Sequence, residues 1–140
     1  MVICVLAVYS VAAEEDKGHT WGPASKITVE VRNRLYPSFF ETHDVEMHDT
    51  VQVGDTDYFF SVVDFFPHFA LVDSTKEIMS LSHDPNNVAF KFVVYESDSI
   101  VDTSWSFCNI EIPHYARTSY LYFNVTKFEY RGELFSKNPE

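Results

Sequence analysis

The sequence predicts an all-β domain, an antiparallel β-sandwich or barrel of about seven to nine short strands. Three observations lead there. The stretch Val53–Phe69, VGDTDYFFSVVDFFPHF, opens on a Gly-Asp turn, continues as a run of aromatic and β-branched residues, and ends at Pro67. Several further segments alternate apolar and polar residues with period two. No run of ten or more residues carries apolar side chains at helical spacing with caps.

The elements follow in order. Residues 1–13 contain Val2–Ala13, VICVLAVYSVAA, an apolar run of signal-peptide length. Val11 and Ala13 stand at the −3 and −1 positions of a small-residue cleavage site, before Glu14-Glu15-Asp16. No Lys or Arg precedes the run. It is too short for a spanning helix, which needs roughly 20 apolar residues. The expectation is an exported, periplasmic or secreted chain with no integral membrane span after cleavage. Residues 14–25 read as a flexible leader, 26–135 as a single β-domain, and 136–140 as a tail.

Within the domain, Ile27, Val29 and Val31 share one face of a first strand. Asn33–Ser38 carries turn chemistry around Pro37. One or two strands are expected in His43–Val53, then a hairpin turn at Gly54-Asp55. Tyr58–Phe66 is a strand with Tyr58, Phe60, Val62 and Phe66 on one face and Phe59, Val63 and Phe65 on the other. A polar, turn-rich interval follows Pro67. Val88–Tyr95 alternates, with Val88, Phe90, Phe92 and Val94 together. Ile100–Cys108 is expected to turn Val101, Thr103, Trp105 and Phe107 inward. Ile112–Thr118 reads as a loop. The longest strand, Ser119–Tyr130, sets Leu121, Phe123 and Val125 against Tyr120, Tyr122, Phe128 and Tyr130. Two facing sheets would bury these aromatic faces together.

Charge narrows the partners. Ten basic and 21 acidic residues give a net charge of −11. Nucleic acids and anionic lipids are poor partners for such a surface, because their affinity comes largely from Lys and Arg neutralising phosphate. Loss of the leader removes Cys4 and leaves Cys108 alone, so no internal disulfide forms and core burial must carry stability. Cys108 has no basic or His neighbour in sequence to activate it, and reads as an inert core thiol.

Several residues are candidates for chemistry. Asp44, Glu46 and His48 would share one face of a continuous strand and could contribute to a metal site. Strand neighbours two apart are nearly 7 Å apart, so a second strand would have to help, and the alternative is a solvated acidic face. His68, His83 and His114 lie beside proline-containing loops. His68 and His114 are candidate haem or ligand contacts, against the plainer reading as loop-packing residues. No Gly-x-Ser-x-Gly elbow and no Gly-rich phosphate loop is present, and no cofactor is expected. The chain is therefore read as non-enzymatic. Asn124-Val125-Thr126 matches a glycosylation sequon in mid-strand. Trp105, Tyr115, Tyr120 and Tyr122 are candidates for an aromatic docking face for a protein or peptide of the cell envelope. Core packing and cross-strand pairing are the alternative.

The block VGDTDYFFSVVDFFPHF, then Ser82-His83-Asp84-Pro85-Asn86-Asn87-Val88-Ala89-Phe90-Lys91-Phe92, then TSWSF, resembles the extracytoplasmic β-domain of ResB-type cytochrome c biogenesis proteins. The resemblance covers about half the chain and consists of strand-and-turn patterns. It implies a β-rich bacterial envelope domain, with an accessory role in cytochrome c or haem assembly as the alternative function. Where the family carries a tyrosine-glutamine pair in its last strand, this chain has Tyr122-Phe123-Asn124, so no haem-site residue carries over.

Overall fold

The computed structural model describes residues 21–72, 77–108 and 120–136. Among these residues it is all-β, with ten strands: β1 (Ala24–Asn33), β2 (Phe40–Val45), β3 (Val51–Gln52), β4 (Tyr58–Phe66), β5 (Phe69–Val72), β6 (Glu77–Ser80), β7 (Ala89–Glu96), β8 (Ser99–Phe107), β9 (Leu121–Tyr130) and β10 (Glu133–Ser136). The first sheet has the order β10-β9-β1-β2 and the second β3-β4-β7-β8, while β5 and β6 pair as a separate hairpin. All pairs are antiparallel. The architecture is a sandwich, and it does not close into a barrel. Among the described residues no helix is long and apolar enough to cross a membrane.

Aromatic rings from both sheets interlock in the main core. Phe92 of β7 stacks on Phe123 of β9, with centroids 4.5 Å apart and planes 5° apart. Phe60 lies 5.0 Å from the same Phe123 ring. Phe65 meets Phe128 at 5.9 Å and Tyr130 at 5.0 Å. Ile27, Val29, Val31 and Val125 fill the space between and are fully buried. Offset and edge-on ring pairs of this kind add about 0.5–1.5 kcal/mol each beyond the area they bury.

Three register shifts change which residues face that core, and they correct the expected faces. Val62 pairs with Phe92, but Asp64 pairs with Lys91, so Val63 is an extra residue on β4. A bulge of one residue reverses the alternation beyond it. Phe65 therefore joins Phe60 and Val62 in the main core, and Phe66 turns to the opposite side. On β9, Val125 pairs with Val29 and Lys127 with Thr28, so Thr126 is extra. Phe128 and Tyr130 consequently share the core with Leu121, Phe123 and Val125, not the outer face with Tyr120 and Tyr122. A matching extra residue lies on β1, between Ser25 and Thr28, where Lys26 has φ 48°. Ala24 and Ile27 are both buried as a result.

The facing of β8 is opposite to the expectation. Ser104 and Ser106 pair with the core residues Phe92 and Phe90, whereas Trp105 and Phe107 pair with Lys91 and Ala89 on the outer face. There they join Phe66, Phe69, Ala89 and Ile78 in a second apolar cluster. The β5–β6 hairpin contributes Phe69 and Ile78 to this cluster and covers that end of the second sheet. The interval after Pro67 was expected to be polar turn. Its strands are only four residues long and pair with each other, which leaves a faint periodic signal.

Both ends of the chain's domain differ from the expected boundaries. β1 begins at Ala24, and Trp21 donates its indole N–H to the Phe65 carbonyl at 2.8 Å, so residues 21–25 belong to the folded unit. At the other end Glu133–Ser136 pairs with β9 as β10. The loop expected at Ile112–Thr118 lies outside the described residues, as do residues 1–20 and 137–140.

Candidate functional site

The outer face of the first sheet carries the site. Val29 and Val31 point into the core, so the alternate residues Thr28, Glu30 and Arg32 point away from it. Register sets their neighbours. Arg32 pairs with Phe40 on β2 and with Tyr122 on β9, which places Phe40, Arg32 and Tyr122 in one row across three strands. The next row, Thr42, Glu30 and Asn124, is polar. The aromatic character is thus confined to the end of the sheet where β1 turns into β2.

Stacking organises the row. The Arg32 guanidinium carbon lies 4.4 Å from the Phe40 ring centroid, and that of Arg34 lies 5.4 Å from the Tyr122 ring. Such cation–π pairs contribute about 0.5–1 kcal/mol at exposed positions. Arg32 Nη2 is 3.9 Å from Glu30 Oε1, which accepts a hydrogen bond from Asn124 Nδ2 at 3.2 Å. This is a loose ion pair.

The turn beside the row displays more apolar surface. The Asn33 side-chain oxygen accepts from the backbone N–H groups of Leu35 at 2.8 Å and Tyr36 at 3.3 Å, an Asx turn. The Arg34 N–H donates to the Tyr120 carbonyl at 2.8 Å, tying the turn to the start of β9. Leu35, Tyr36, Phe40 and Tyr120 are 57%, 65%, 48% and 61% exposed. Four large apolar side chains this open, at the end of the sheet where β1 turns into β2, form the kind of surface that interfaces use.

The other sequence candidates are dispersed. Tyr120 and Tyr122 belong to this end of the first sheet, but Trp105 lies on the outer face of the second sheet. Its ring is 5.5 Å from Phe69, 5.9 Å from Phe66 and 5.9 Å from Phe107, with Lys91 Nζ 5.9 Å away. Trp105 is thus a half-buried packing residue of the second cluster. Tyr115 and His114 lie outside the described residues. His68 sits in the turn between β4 and β5, where its N–H donates to Ser80 Oγ at 2.9 Å and its Nδ1 lies 3.0 Å from Ser82 Oγ.

The shared strand face expected for Asp44, Glu46 and His48 does not form, because β2 ends at Val45 and His48 occupies a turn with φ 70°. Asp44 accepts from Thr28 Oγ1 at 2.8 Å, Glu46 accepts from the Lys26 N–H at 3.1 Å, and the His48 N–H donates to the Val62 carbonyl at 2.8 Å. Among the described residues no three His, Cys, Asp or Glu side chains gather to hold a metal ion. The Cys108 thiol is half-buried, 4.0 Å from the Val125 carbonyl.

Sequence reasoning missed Arg32, Arg34, Leu35, Tyr36 and Phe40. An arginine at an alternate position of a strand reads as ordinary solvated surface, and its partners lie on other strands. The cue present in the sequence was the density of exposed-type aromatics around the Asn33–Ser38 turn. No protein-family model, curated protein or solved structure matches the chain.

Proposed function

We propose that this chain is an exported binding domain of the bacterial cell envelope that docks a protein or peptide and performs no chemistry of its own. The observation that carries the reading is the Phe40–Arg32–Tyr122 row, with Leu35, Tyr36 and Tyr120 open beside it. Aromatic residues and arginine are the types that concentrate binding energy at interfaces, since they combine large apolar area with few rotatable bonds or with planar hydrogen bonding. The apolar run Val2–Ala13 supports export.

A photo-crosslinking amino acid placed at Tyr36 or Tyr120 tests the docking face, with the same probe at Thr42 on the polar row as control. Discrete protein adducts from the first two sites and none from Thr42 are expected in envelope fractions. Equal labelling from all three, or none, overturns the reading. Fractionation of cells expressing the full chain tests export.

A further inference from the structure

Resting on the docking face proposed above, we infer that its occupant is an acidic, apolar segment of another protein, one of whose carboxylates is received by Arg32. The Arg32 guanidinium is held over the Phe40 ring, yet its sole acidic neighbour among the described residues is 3.9 Å away, beyond hydrogen-bonding distance. That neighbour, Glu30, already accepts from Asn124. The N–H fork of Arg32 is therefore oriented and available. Stacking on a ring leaves its edge free, and that edge matches a carboxylate in a two-pronged pair.

Position supplies the rest of the specificity. Arg32 lies between Phe40 and Tyr122 in the row, so apolar side chains flanking a bound carboxylate would meet a ring on either side. A basic segment would have to bring its ammonium groups against the Arg32 guanidinium. The net charge of −11 repels an acidic partner at long range. At physiological ionic strength that field is screened over about 8 Å, whereas a contact pair is not. The local charge decides.

The test is an NMR titration of the 15N-labelled folded chain with three short synthetic peptides. One alternates Glu with Leu and Phe, and the others replace every Glu by Gln or by Lys. The acidic peptide is expected to shift the resonances of Arg32, Phe40 and Tyr122 and to bind roughly tenfold tighter than the lysine peptide, a difference of about 1.4 kcal/mol. Arg32→Gln is expected to erase that preference. Equal or tighter binding of the lysine peptide overturns the inference, and so does a preference that survives in Arg32→Gln. If a peptide of the wrong charge occupies the row and Phe40→Ala weakens it, the docking face stands and the acidic partner falls. If no peptide perturbs the row, both fall. The wild-type titration alone decides the charge preference, so a variant that fails to fold leaves no ambiguity.

Discussion

The Ser106 hydroxyl on β8 accepts a hydrogen bond from the Val125 backbone N–H on β9 at 2.9 Å, joining the edges of two different sheets. β10 pairs with Lys127–Tyr130 of β9, and among the described residues no strand pairs with Val125 on that edge. A serine facing the core thereby does what a ladder bond would do elsewhere.

Ser106→Ala leaves this buried N–H unsatisfied. A loss of about 1–3 kcal/mol in unfolding free energy is expected, read by urea denaturation. Native-state hydrogen exchange at the Val125 amide should quicken at the same time. Unchanged exchange would mean the hydroxyl does not secure this edge.

The bulge at Val63 gives a sharper test of the core. Phe65→Ala removes a ring packed against Phe90, Phe128 and Tyr130, and a cost of about 3–5 kcal/mol is expected. Deleting Val63 restores regular pairing but would turn Phe65 outward, so it should be far more damaging than Val63→Ala. Phe40→Ala, on the open face, should cost only about 1 kcal/mol, the order of its cation–π pair with Arg32. Thermal and urea unfolding of the four variants checks the ranking.

Tyr130 makes stability fall in alkali. Its phenol lies between the carbonyls of Trp21 at 3.0 Å and His83 at 2.9 Å, to which its O–H donates. Burial pushes its pKa above the ordinary value of 10.0, Arg131 partly offsets that, and Asp84 reinforces it. The folded state thus holds the proton more tightly than the unfolded chain. The stabilisation is complete below pH 10.0 and is lost as pH rises through the raised value. Tyr130→Phe should be less stable at neutral pH and show a flatter decline between neutral and strongly alkaline pH, measured by urea midpoints.

Gly54 closes the β3–β4 hairpin at φ +52°, and a Cβ there would lie 3.2 Å from Glu41 Oε2 and 3.4 Å from the Phe39 ring. The Gly54 N–H also donates to Glu41 Oε1 at 3.1 Å. Gly54→Ala should cost about 1–2 kcal/mol from the backbone conformation alone. Gly132 has φ +78° but open space around it, so Gly132→Ala should cost less. Calorimetric midpoints of the pair separate crowding from backbone strain.

How far the sequence foretold the structure depends on whether a feature is local. β4 matches its expected span, Tyr58–Phe66, because aromatic and β-branched residues dominate it and Gly54-Asp55 and Pro67 bound it. β7, Ala89–Glu96, lies one residue from its expected position. The bulges at Val63 and Thr126 left no mark, since an extra residue is defined only against the strand it fails to pair with. That is why Phe65, Phe128 and Tyr130 were assigned to the wrong faces. β8 was inverted because Trp105 and Phe107 look like core residues, and the β5–β6 hairpin opposite them explains why they face outward. The row proposed as a docking face was visible in part, through Tyr122 and, beside it, Tyr120. Arg32 and Phe40 become its centre only when three strands are laid side by side.

The β5–β6 hairpin has a consequence for the order of assembly. Phe60, Phe92 and Phe123 can interlock without it, whereas Trp105 and Phe107 lack the Phe69 ring until the hairpin docks. A nascent chain whose sandwich has closed but whose flap has not yet settled displays a sticky indole and a phenyl ring. That interval is when a chaperone would find something to hold.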